Sequence, residues 1–263
     1  MGILNVTPDS FADGGVHFDV DRAVEAGIRM VAEGADILDV GGESTRPGAD
    51  PLPADEELRR VLPVVERLAP RVNVPISIDT YKASVARAAV EAGAAIINDI
   101  SGLQYDRELA AVAAGSGAGL ILMHTRGRST GMYDLAVYDD AAADVARELE
   151  QAIERATGAG VPRESIVIDP GFGFAKRAEH SYDVLARLDT LAALDRPILS
   201  GPSRKSFLKA ALGDREPSER EWGTAAAVAA SVLLGAHIVR VHGVREMVDV
   251  VRVADRIRDA ARG

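Results

Sequence analysis

Residues 76–99 read ISIDTYKASVARAAVEAGAAIIND. Two short apolar runs, Ile76–Asp79 and Ile96–Asp99, bracket Lys82–Ala92, whose alanines and valines recur at helical spacing. The β-branched residues of the runs favour strands, and Gly93 supplies the stop expected at a helix C-terminus. The segment reads as strand, helix, strand. Both strands end in residues useful to chemistry: Asp79, and Asn98 with Asp99.

The pattern repeats outward in both directions. Further apolar runs stop at Asn5, Asp39, His124, Asp169, Ser200 and Arg240–His242. Strands are expected over Gly2–Val6, Ile37–Val40, Ile76–Asp79, Ile96–Asp99, Leu120–Met123, Ile166–Asp169, Ile198–Ser200 and Ile238–Val241. Helices are expected over Asp21–Glu33, Asp55–Leu68, Lys82–Ala92, Arg107–Ala114, Ala141–Thr157, Ser181–Leu194, Arg204–Leu212 with Gly223–Leu234, and Val244–Ala261. Gly34, Gly93, Gly115, Gly158 and Gly235 lie near the ends of five of them. Strand and helix alternating eight times predict an α/β chain folded as a (β/α)8 TIM barrel, one domain over residues 1–263, with its site at the carboxyl ends of the strands.

Composition narrows the function. The 263 residues suit one barrel; apolar residues make up 47% and aromatics only 4%, so Ala, Val, Leu and Ile must do the packing. With no cysteine, disulfides, thiolate catalysis and Cys-bound zinc are excluded, and a cytoplasmic setting is expected. A net charge of −10 argues against nucleic acid and acidic membrane surfaces as partners. No apolar run reaches the roughly 18–20 residues of a membrane span, and no signal peptide is expected. The first strand begins at Gly2, ahead of any segment that could cover the barrel bottom, so a shortened or divergent N-terminus is expected. Gly223–Leu234 is apolar nearly all round and is expected to be buried in a homodimer.

Two βα loops are longer than the barrel requires, Thr7–Val20 and Gly41–Pro53, and read as lids or binding loops. Asp79, Asn98 and Asp169 offer two acceptors and an amide, a set suited to a flat heterocycle with an amino-pyrimidinone edge. Carboxylate pairs also serve glycosidases and metal sites, and Asp before Pro or Thr can simply cap a turn. The segment Ser200–Ser206 (SGPSRKS), followed by a helix, and the neighbouring Arg240 and His242 read as an anion cradle at the loops where barrels bind phosphate. The histidines form neither a His-x-His pair on strand one nor an HExxH helix, which argues against a zinc hydrolase.

Seven motifs in chain order resemble dihydropteroate synthase, a pterin-binding family of folate biosynthesis. They are Met1–Gly15 (MGILNVTPDSFADGG), Asp39–Gly48 (DVGGESTRPG), Ser77–Thr80 (SIDT), Asn98–Gly102 (NDISG), Asp169–Lys176 (DPGFGFAK), Ser203–Ser206 (SRKS) and Arg240–His242 (RVH). The resemblance implies a transferase joining 6-hydroxymethyl-7,8-dihydropterin diphosphate to p-aminobenzoate, giving 7,8-dihydropteroate and diphosphate by a Mg²⁺-assisted, SN1-like route. It implies Asp79, Asn98, Asp169 and Lys205 as ligands of the pterin ring. Asn5 would help hold Mg²⁺, with Arg46, Arg240 and His242 on the diphosphate oxygens. Phe11, Thr45, Pro47, Phe174, Ser203 and Ser206 would form the p-aminobenzoate pocket, with a helix N-terminus at Ser206 facing the carboxylate. Met123, Gly173 and Arg204 complete the implied substrate-binding set, and sulfonamides are the implied inhibitors. Ala175, Arg177, Pro202 and Gly243 depart from the family's usual residues. The competing readings are a pterin-dependent methyltransferase, which would not need Ser203–Ser206 or the Arg240/His242 cradle, and a non-catalytic pterin-binding paralogue.

Overall fold

The computed structural model describes residues 1–7, 20–44 and 48–262. Six strands run parallel in chain order: β1 (Gly2–Asn5), β2 (Leu38–Gly41), β3 (Ile76–Asp79), β4 (Ile96–Asp99), β5 (Gly119–Met123) and β6 (Ile166–Asp169). β7 (Leu199–Ser200) pairs in parallel with β8 (Ile238–Val239). Two single bridges close the ring, Ile168 to Ile198 and Gly2 to Val241. At the latter seam Ile3 N–H donates to the Val241 carbonyl at 2.9 Å, and Val241 N–H to that of Met1 at 3.0 Å. The expected (β/α)8 TIM barrel is therefore the observed fold.

Around the barrel run α1 (Val20–Ala32), α2 (Ala54–Leu68), α3 (Ala83–Glu91), α4 (Leu109–Ser116), α5 (Ala141–Gly158), α6 (Ala178–Ala186), α7 (Lys209–Leu212), α8 (Glu221–Leu233) and α9 (Val244–Arg262). Among the described residues no helix is long and apolar enough to cross a membrane.

Strand parity divides the core. Alternate strand residues point to opposite faces, and the outward set (Leu4, Leu38, Val40, Ile76, Ile78, Ile97, Leu120, Leu122, Ile166, Ile168) packs under the helices. The inward set forms a small plug of Met1, Ile37, Ile96, Ile121, Val167, Leu199 and Ile238. Two residues further along their strands lie Asp39, Asn98, Asp169 and Arg240. The same period that builds the plug thus sets a polar layer on top of it.

Several boundaries differ from the sequence reading. The helix expected over Ser181–Leu194 is α6 followed by a 3₁₀ segment, Leu188–Leu194, and the break falls at Arg187 (φ −117°, ψ 33°). Leu188, Leu191 and Leu194 are all buried. Their spacing of three stacks them in one line in a helix of three residues per turn. The helix expected from Arg204 begins instead with a 3₁₀ turn, Ser206–Leu208, because Arg204 adopts φ 58°. Of the expected glycine stops, Gly115 and Gly158 lie within helices, and Gly117 and Gly160 take the left-handed conformation instead. The apolar segment 223–234 turns one face (Thr224, Ala227, Val228, Ser231, Val232) inward, where Val228 packs with Met247 of α9.

Candidate active site

Asp79 and Asn98 are register partners on β3 and β4, and Met123 is that of Asp169 on β5 and β6, so parallel pairing brings these strand ends to one mouth. Asn98 and Asp99 are neighbours with opposite fates. Asn98 points inward, and its amide donates to Asp39 Oδ2 at 3.0 Å. Asp99 points away and accepts from the Ser101 and Leu103 N–H groups at 2.8 and 2.6 Å, capping its own turn.

Arg240 completes the inward cluster. Its Nε donates to Asp39 Oδ2 at 2.6 Å and its Nη2 to Asp79 Oδ2 at 2.7 Å. Burial works against the guanidinium charge, but Asp39 and Asp79 outweigh it and hold the group above its ordinary value. Burial pushes the Asp79 carboxyl well above the usual carboxylate range despite Arg240 alongside, with the Asp39 charge adding to the rise. Asp169 is also raised by burial, although Gly171 N–H donates to its Oδ1 at 2.7 Å. The second oxygens of Asp39 and Asp79 are buried without a hydrogen-bond partner. A buried acceptor left open costs free energy unless a ligand supplies a donor.

Asp39 is missing from the sequence-based set, although the apolar run before it stops at a carboxylate as others do. The missed signal was position: Asp39 lies two residues before Gly41, the register partner of Asp79. A side chain on Gly41 would meet Asp79 Cβ at 3.3 Å, so glycine there keeps the carboxylate approachable.

Opposite this cluster lies Lys205, its ammonium 4.0 Å from the centre of the Phe174 ring. Burial, with Arg240 nearby, lowers its pKa to about 8. Ser203 and His242 meet at 2.9 Å through Oγ and Nδ1. Arg204 turns away from the mouth: its Nε bonds Glu221 Oε2 at 2.9 Å, and its N–H donates to Thr224 Oγ1 at 3.0 Å. Ser206 opens a 3₁₀ turn followed by the four-residue α7, not the regular helix end expected there. Met123 packs with Met132, Phe174 and Ala175. Gly173, at φ 78°, lies beside Lys205. Asn5 ends β1 next to Gly41. Phe11, Thr45, Arg46 and Pro47 lie outside the described residues.

Among the described residues, no three His, Asp or Glu side chains converge as a metal cage. The Asn5 amide oxygen at the rim is a single hard donor. That fits a Mg²⁺ ion that takes its remaining ligands from phosphate and water.

A mouth of buried carboxylates, an amide and two cations on a (β/α)8 barrel suits a planar, donor-bearing ring with an anionic substituent. The pterin binding enzyme family matches residues 1–242, and the chain belongs to that family. Its place within the family is among the dihydropteroate synthases. The chain is 45% identical to dihydropteroate synthase of Synechocystis sp., over 98% of this chain and 89% of that protein. It is 47% identical to the Escherichia coli K12 dihydropteroate synthase, over 97% and 90%. It also matches the folic acid synthesis protein of Schizosaccharomyces pombe at 48%, spanning only 36% of that longer chain. Two solved structures superpose along almost the whole length. Xanthomonas albilineans dihydropteroate synthase with 4-aminobenzoic acid gives a TM-score of 0.91 at 44% identity, covering 98% of this chain and 92% of that one. The Yersinia pestis enzyme in a sulfonamide drug complex gives 0.92 at 43%, covering 98% and 93%.

Proposed function

We propose that the chain, acting as one barrel domain, joins 6-hydroxymethyl-7,8-dihydropterin diphosphate to p-aminobenzoate, forming 7,8-dihydropteroate and diphosphate. The observation that carries this reading is the open, buried Oδ1 of Asp79 beside Asn98 and Asp39. It is an acceptor awaiting the N–H edge of an amino-pyrimidinone ring. Asp169, across the mouth, supports the same ring, and Lys205 donates to it.

The chemistry follows from charge. The bond between the pterin methylene and the bridging oxygen breaks, and its electron pair leaves with diphosphate. The cation left on the methylene is conjugated with the electron-rich ring, and the carboxylates of Asp79, Asp169 and Asp39 favour it electrostatically. The amine lone pair of p-aminobenzoate then forms the new carbon–nitrogen bond, and the nitrogen loses a proton. Arg240 and His242 would take the charge that gathers on the leaving diphosphate, and Asn5 would help hold Mg²⁺, which would supply further neutralisation of that charge. Phe174, with Ser203 and Ser206, walls the side from which the arylamine enters. Water must be kept from the cation, a task for the long loops after β1 and β2.

Diphosphate release from the pterin substrate, with and without p-aminobenzoate, tests the reading. Release that depends on p-aminobenzoate, with dihydropteroate as product and sulfonamide as a competitor of p-aminobenzoate, is the expected result. Tight pterin binding without turnover would show a non-catalytic binder instead.

A further inference from the structure

Two titratable groups stay outside this scheme although both are almost wholly enclosed: Lys176 is 1% exposed and His124 3%. The Lys176 ammonium donates to His124 Nδ1 at 2.7 Å and to the carbonyls of Gly171 and Phe174, each at 3.1 Å. The His124 carbonyl, at 3.4 Å, is a longer fourth acceptor for the three N–H bonds of this ammonium, whose pKa burial lowers to about 7. Because Lys176 donates, His124 Nδ1 must accept, which places the imidazole proton on Nε2, 2.9 Å from Glu148 Oε2. Burial, reinforced by Lys176, lowers the His124 pKa to about 4, so the ring is neutral. Glu148 is held in turn by Arg126, whose Nε lies 3.1 Å from each carboxylate oxygen.

This hydrogen-bonded chain runs from α5 to the turn after β6. The turn is unusual: Gly171, Gly173 and Ala175 all have positive φ, at 66°, 78° and 47°. Residues in that region bend the backbone so that its carbonyls converge inward, and Ala175 adopts it at a cost that glycine would avoid. Tyr138 O–H donates to the Ala175 carbonyl at 2.8 Å, and its ring lies 4.0 Å below the Arg126 guanidinium. The turn's carbonyls are thus fastened to one polar cluster, and on the turn's other side Phe174 meets Lys205.

We propose that Lys176, tethered by His124 and Glu148, is a positioning residue that holds the turn 171–175 so that Phe174 forms the arylamine side of the site. The proposal rests on the functional reading above. Asp169 is tied to the turn through the Gly171 N–H on its Oδ1, but its backbone belongs to β6 and its carbonyl accepts from His124 N–H at 2.8 Å, which holds it in place independently of Lys176. Loss of Lys176 therefore loosens the p-aminobenzoate side while leaving the pterin side in place.

The test compares Lys176→Met, His124→Leu and His124→Asn with wild type, by steady-state kinetics and by calorimetric titration with the pterin diphosphate. Asparagine keeps an acceptor for Lys176, whereas leucine fills the space without one. Expected for Lys176→Met and His124→Leu is a KM for p-aminobenzoate raised about 10-fold or more, with kcat changed less than about 3-fold and pterin Kd within about 2-fold. His124→Asn should recover most of the p-aminobenzoate KM. An unchanged KM in Lys176→Met, equal losses in both His124 variants, or a parallel loss of pterin affinity would overturn the proposal. Should Lys176→Met fail to fold, the two His124 variants decide alone. A wild type that forms no dihydropteroate would refute the functional reading itself, a result distinct from any of these.

Discussion

At the residue scale, one fact organises the site: carboxylates are buried at the barrel mouth with too few donors. Arg240 serves one oxygen each of Asp39 and Asp79, and the other oxygen of each stays open. Asp79→Ala should lower kcat/KM for the pterin substrate by an amount worth about 2–4 kcal/mol, the usual effect of deleting one preorganised polar contact. Kinetics at limiting pterin check this, and a near-normal kcat/KM would remove Asp79 from the ring-binding set. Lys205 gives a second expectation. Its pKa, lowered by burial to about 8, keeps it charged below that pH and neutral above. Pterin diphosphate affinity should fall as pH rises through 8, an alkaline limb separate from the titration of Asp79 near 7. Lys205→Met should abolish that alkaline limb in calorimetric titrations between about pH 6.5 and 9.5. Stability carries the opposite sign. Between this pKa and the ordinary lysine value the unfolded chain binds more protons, so the Lys205 contribution improves as pH rises.

At the element scale, α2 and the loops after β2 and β3 are joined by one ionic cluster. Lys82 pairs with both Glu43 and Glu57, and Tyr81 O–H donates to Glu43 at 3.0 Å. Glu57 on α2 is almost fully enclosed, and burial raises its pKa despite Lys82. Lys82→Met strands that carboxylate and should cost about 3–5 kcal/mol in urea unfolding, whereas the double variant Lys82→Met/Glu57→Met should recover much of the loss. Equal stability of the single variant and wild type would show that the pair contributes nothing. Boundaries at this scale were only partly legible. The Leu188, Leu191 and Leu194 spacing fits a 3₁₀ face as well as part of an α-helical one, and only the packed neighbours select the former. Glycine identity marked helix ends, but Gly117 and Gly160, not the expected Gly115 and Gly158, took the left-handed conformation.

At the scale of the whole molecule, α8 and α9 pack on each other and leave Trp222, Leu233, Val253 and Ile257 exposed. Apolar side chains grouped on two adjacent helices suit a subunit interface. We expect a homodimer, and the pair of substitutions Leu233→Glu and Val253→Glu should convert it to monomer in sedimentation runs. A wild type that sediments as a monomer at micromolar concentration would end that expectation.

The sequence alone determined the barrel. Short apolar runs that stop at or beside a polar residue alternate with segments of helical spacing, so local pattern and chain order suffice. It also led to the expectation that Asp79, Asn98, Asp169 and Arg240 share one mouth, because strand ends in a parallel barrel converge by construction of the fold, while Lys205, past the end of its strand, entered as a ring ligand only through the family resemblance. Tertiary structure decided the rest. That Arg240 bonds Asp39 and Asp79, that Asn98 turns inward while Asp99 caps a turn, and that Lys176 lies against His124 all depend on register and side-chain direction between segments distant in the chain. Periodicity along one segment carries no record of which atom of another segment lies opposite. That pairing exists only once the ring closes.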